Sequence, residues 1–133
     1  MNKLISFYAG MILLLSVFAV RGTWAQDPLE VAPDLYKFDF ENDRVRVMEV
    51  HFKPGDKIAP HSHPDHFVYV LEPGKIKISH PNETAPQEVE LTKGQVVWVD
   101  AETHWAENIG TTDVRLLVVE LKGEQPQAKL QQG

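Results

Sequence analysis

From Arg44 onward the chain is written in short apolar runs. The clearest are Arg44–Phe52, Phe67–Leu71, Lys75–Ser79, Glu88–Leu91, Gln95–Val99 and Val114–Leu121, each carrying Val, Ile, Leu or aromatic residues. Lys57–His63 and His104–Asn108 are fainter examples. Breakers punctuate them: Pro54-Gly55, Pro73-Gly74, Pro81-Asn82 and Lys93-Gly94. Branched and aromatic side chains suit a pleated, half-buried surface, whereas Gly, Pro and Asn end one. After residue 25 no stretch of helical length repeats its apolar positions every 3.6 residues. The pattern predicts an all-β single domain, a sandwich or barrel of many short strands.

The two ends break this pattern in different ways. Residues 1–25 start with Lys3, continue in a mostly apolar run from Leu4 to Val20 and reach small residues at Thr23 and Ala25. That is the layout of a secretory signal peptide, with an apolar run short for a membrane span. Cleavage after Ala25 would leave a periplasmic or secreted protein with no membrane attachment. Residues 26–40 are expected to hold a loose linker (Gln26–Pro33) and a first strand, and 41–122 the barrel. Residues 123–133 are Gln-rich with almost no apolar content, so a disordered tail is expected there.

Composition narrows the partners. The chain has 19 Asp and Glu against 13 Lys and Arg, a net charge of −6. Losing Lys3 and Arg21 with the leader makes it more negative, and no basic stripe remains to grip a nucleic acid. There is no cysteine. Disulfides, thiolate ligation and thiol nucleophiles are therefore excluded.

Chemistry concentrates in HSHPDH, His61 to His66, which holds three of the six histidines. Residues two apart on a strand face the same way, so His61 and His63 aim together. Pro64-Asp65 turns the chain and His66 opens the next strand. His104 starts a later strand and shares a face with Ala106 and Asn108. Imidazoles from neighbouring strands can converge on one interior point, and they ligate Zn, Fe, Cu, Ni and Mn. His51 and His80 read as ordinary exposed or capping residues. Trp98, Trp105 and Tyr69 suit core or interface packing more often than a substrate mouth. Asp65 and Glu102, beside the histidines, are the candidate acid/base groups.

PGDKIAPHSHPDHFVYVLEPG (Pro54–Gly74) resembles the first motif of the cupin superfamily, and GQVVWVDAETHWAEN (Gly94–Asn108) resembles the second. Gly55, His61, His63, Gly74, Gly94, His104 and Asn108 fall on motif positions. The resemblance implies an antiparallel jelly-roll barrel with one divalent transition metal (Fe, Mn, Zn, Ni or Cu) held by His61, His63 and His104, with His66 either a fourth ligand or a hydrogen-bonding neighbour that leaves Asp65 as an alternative oxygen donor. Two positions depart from the motifs. His66 stands where the family has its glutamate, and Asp100 replaces a proline in a turn one residue shorter. An imidazole in place of a carboxylate leaves the ion its full charge, which favours a small anionic organic substrate.

Three classes of function fit this reading, and the fold does not choose among them. One is a metal-dependent, dioxygenase-like oxygenase. Another is a non-catalytic cupin that binds a small molecule or the metal itself. A third is a metal-dependent isomerase or lyase whose carboxylate moves a proton. Small barrels also leave sheet edges unpaired, so self-association as a homodimer is expected.

Overall fold

The structure, a computed structural model, describes residues 26–123. The expected leader (1–25) and nearly all of the expected tail (124–133) lie outside the described residues. Nine strands follow one short helix: α1 (Pro28–Val31), β1 (Tyr36–Glu41), β2 (Val45–Phe52), β3 (Lys57–His63), β4 (His66–Glu72), β5 (Gly74–Ser79), β6 (Gln87–Leu91), β7 (Val96–Val99), β8 (Glu102–Asn108) and β9 (Val114–Leu121). They form a five-stranded sheet, β1-β2-β9-β4-β7, and a four-stranded sheet, β3-β8-β5-β6. Every pairing is antiparallel.

The inner faces of the two sheets supply the core. Met48, Val50, Phe52, Val70, Ile76 and Val114 are all buried. Each such side chain contributes about 1.5–3 kcal/mol relative to exposure, which explains why the apolar runs lock their register. The turns obey backbone chemistry too. Gly55 and Gly94 have φ of 85° and 81°, a region that strains any side chain with a Cβ. At Gly74 an added Cβ would lie 2.5 Å from Val114 Cγ2.

One feature differs from the sequence expectation. Gln26–Pro33, expected to be loose, contains α1 instead. Asp27 caps it by accepting from Leu29 N at 2.9 Å, Pro28 occupies the first turn, and Ser62 N donates to Gln26 O. One turn is too short to carry a helical period, so the pattern could not reveal it. The helix packs on β3, the strand that carries His61 and His63.

The aromatics Trp98, Tyr69 and Trp105 are not core: they are 55%, 38% and 36% exposed. On the outside of the larger sheet, register aligns Phe40, Val47, Val119, Phe67 and Trp98 across all five strands.

Candidate metal centre

A bulge on β3 decides which side chains reach the interior. Ile58 pairs with Ala106 and His61 with His104, so β3 spends one more residue than β8 between these pairs. The extra residue falls at Ala59-Pro60, and proline is tolerated where a ladder is interrupted. Regular alternation from Ile58 would have turned Ser62 inward and both histidines outward. The bulge instead buries Ile58, His61 and His63 on one face.

The register then assembles the cluster. His61 lies directly opposite His104, and His63 opposite Glu102. His66 and Arg46 both pair with Glu120 across the larger sheet. His61, His63 and His66 are 0%, 5% and 2% exposed. Donor atoms of His61, His63 and His104 lie within 4.8 Å of one another. The ring of His66 stands 4.6 Å from that of His63, and both line the same interior cavity with His104. His66 falls outside the three-residue group itself.

Each imidazole has its Nδ1 engaged by an oxygen. His61 Nδ1 bonds Ala59 O at 2.9 Å, His63 Nδ1 bonds Glu120 Oε1 at 2.7 Å, His66 Nδ1 bonds Pro64 O at 2.8 Å and His104 Nδ1 bonds Glu102 Oε1 at 2.5 Å. Carbonyl and carboxylate oxygens only accept, so these nitrogens carry the proton and the Nε2 lone pairs remain. Such orientation by an oxygen behind the ring is the usual arrangement of metal-ligating histidine.

The lone pairs meet. His61 Nε2 and His104 Nε2 are 3.1 Å apart. Two acceptors at that distance repel unless a cation lies between them. Neighbouring donors around one ion, each about 2.0–2.1 Å from it, are about 3 Å apart. Tyr36 Oη is 3.2 Å from His61 Nε2 and 3.4 Å from His63 Nε2, yet its one proton can satisfy only one of them. Protonation is a poor alternative, because burial pushes His61 and His104 down to about 4. Burial likewise lowers His63, outweighing its bond to Glu120. The donor set therefore fits a divalent transition metal.

The carboxylates behind the rings are held ionised. Burial alone would raise Glu120, but bonds from His63 and from Arg46 Nε (2.7 Å), together with the guanidinium charge, keep it below the ordinary range. Arg46 also reaches Asp27, at 2.5 Å, tying α1 into the chain His63–Glu120–Arg46–Asp27. Glu102 is lowered similarly, by His104 and His80 against its burial. Tyr36 is pushed up by burial and by the Glu120 charge, so its hydroxyl stays protonated.

The candidate acid/base groups separate. Glu102 joins the cluster, bonding His104 and, at 2.9 Å, His80 Nε2. Asp65 is exposed; its carboxylate accepts from Ala101 N at 2.8 Å and fastens the turn. His80, read as an exposed or capping residue, instead bridges Glu102 and Glu83, and it forms a second potential metal-holding group with Glu102 and His104. Burial would lower His80, but the two glutamates raise it on balance. His51 pairs with Asp113 away from the cluster. Asn108 lies at the far end of β8's inner face, holding Phe52 O and Thr112 O. Tyr36, Arg46, Glu120 and His80 were absent from the sequence candidates.

Comparison with known proteins agrees with this architecture. The description of the cupin domain matches residues 48–120. A cupin domain from Bordetella pertussis Tohama I is 24% identical, with a TM-score of 0.61 over 66% of this chain and 92% of that one. A double-stranded β-helix protein from Klebsiella pneumoniae is 22% identical, TM-score 0.55, over 68% and 77%. The polyketide cyclase RemF from Streptomyces resistomycificus is 25% identical, TM-score 0.51, over 68% and 66%. Among curated proteins, none matches the chain.

Proposed function

Because the chain belongs to the cupin family, its domain spanning residues 48–120, we propose that it is a metal-dependent enzyme of the oxygenase class acting on a small organic anion. The observation that carries this reading is the convergence of three Nε2 atoms whose Nδ1 partners are all occupied. His61, His63 and His104 hold the ion, and His66 is the fourth imidazole beside it. When bound, a redox-active ion supplies Lewis acidity and a site for O₂. No carboxylate is among these donors, so the ion keeps a charge that draws an anionic substrate.

The protein's own groups have separate tasks. Glu120 and Glu102 fix the rings of His63 and His104. Tyr36 donates its hydroxyl proton toward the cluster without ionising itself. Glu102 also lines both the interior cavity and an open depression shared with His80, Glu83 and Thr103, where its ionised carboxylate can accept a proton at the boundary.

That placement favours a second reading, an isomerase, lyase or cyclase in which Glu102 moves a proton; the likeness to a polyketide cyclase points the same way. Oxygen consumption by iron-loaded protein separates the two readings. Uptake coupled to loss of an added small enolisable acid supports the oxygenase. Conversion of such an acid without uptake replaces it with the second reading.

A further inference from the structure

The interior cavity defines a ligand. Its volume is about 160 Å³. Protein interiors are packed nearly as densely as crystals, with few voids larger than a water molecule, so a space of this size in so small a barrel is unusual. Its walls are almost wholly apolar, built by Val68, Ile76, Ile78, Val97, Leu116 and Val118 among others. Polar groups occur at one end alone, where His63, His66, His104, Tyr36 and Glu102 gather. Apolar cavities of about 150 Å³ stay dry and accept a benzene-sized guest.

We propose that the natural ligand has a compact hydrocarbon body the size of one aromatic ring, with a single anionic oxygen group at one end. The body fills the walls, and the anionic group faces the histidines. A polyhydroxylated anion of similar size is excluded, because its hydroxyls would be buried against Val and Leu without partners. A body much larger than one ring exceeds the cavity's volume of about 160 Å³. Glu102, shared with the open depression, marks the route inward. This inference rests on the proposed metal site for the anionic end; the cavity supplies the body independently.

The test uses cobalt-loaded protein with benzoate and gluconate as probes, followed by calorimetry and by the visible spectrum of the ion. Benzoate should bind about tenfold or more tightly than gluconate and perturb the spectrum. Val97→Phe, which fills the space, should weaken benzoate by about tenfold or more with one cobalt still bound per chain. Ile78→Ala, which enlarges it, should improve 2-naphthoate relative to benzoate. Toluene, added to metal-free protein and followed by ligand-observed NMR, tests the cavity without the ion. Toluene binding that Val97→Phe abolishes, in a protein that takes up no cobalt, overturns the metal reading but upholds the compact body. Equal or tighter binding of gluconate overturns the ligand class. So does benzoate affinity unchanged in both variants.

Discussion

Glu120→Gln tests the support behind the histidines. The wild-type carboxylate is 3% exposed and accepts from two donors, His63 Nδ1 and Arg46 Nε, each at 2.7 Å. Glutamine is the same size but has one acceptor oxygen, so its amide must face either the imidazole or the guanidinium. A buried donor left without an acceptor costs about 1–3 kcal/mol. Arg46 keeps Asp27 as a partner, so the loss should fall short of the about 3–5 kcal/mol for a buried charge stripped bare. Urea unfolding of chelator-treated protein at pH 7.5 reads this directly. Metal affinity should fall as well, by about 10–100-fold, since the oxygen that orients and polarises His63 is weakened. That is about 1.4–2.7 kcal/mol by competition with a chromogenic chelator. Glu49→Gln is the control, because its pairing with Arg115 is on the outer face. It should cost no more than about 1 kcal/mol and leave metal affinity alone. If Glu120→Gln matches the control in both assays, the His63–Glu120–Arg46 chain is not what holds the site.

Further outcomes follow from the same geometry. Metal-free protein should lose stability as pH falls from about 6.5 to about 4: the unfolded histidines take up protons first, while burial holds folded His61 and His104 at about 4. Stability should level off above that window, and a flat profile in chelator-treated denaturant melts would contradict the burial argument. Gly94→Ala, at φ 81°, should cost about 1–2 kcal/mol in the same melts yet keep stoichiometric metal. N-terminal sequencing of protein from expressing cells should begin at Gln26 or Asp27; intact Met1–Val20 in membranes would instead indicate an anchor.

Strand identity was legible because it depends on local pattern. Val114–Leu121 is bounded as its apolar run predicts, and β2, β4, β5, β6 and β7 differ from theirs by a residue or two at most. The histidines of the first motif were legible for the same reason, since spacing two on a strand means a shared face. What spacing could not show is which face. That was set by the bulge at Ala59-Pro60, a register event between β3 and β8. Glu120 and Arg46 were illegible for a related reason. They sit in apolar-looking strands, 74 residues apart, and only sheet order β2-β9-β4 brings them behind His63 and His66. One signal was available: a charged residue at an inward phase of a strand, as Glu120 is among Leu116 and Val118, needs a buried partner. Tyr36 carried no such signal, being an aromatic at the start of a strand. His80 was set aside as an exposed or capping residue at a strand end before Pro81, yet it reaches Glu102 across the mouth of the barrel.

The central claim is that His61, His63 and His104 hold one ion between them. Metal content by elemental analysis, on wild type and His104→Ala purified without chelator, tests it most directly. The account predicts one divalent transition metal per wild-type chain and none at stoichiometric level in the variant, with the β-sheet circular dichroism of the two unchanged. A folded His104→Ala protein that retains one ion per chain at wild-type affinity would contradict it.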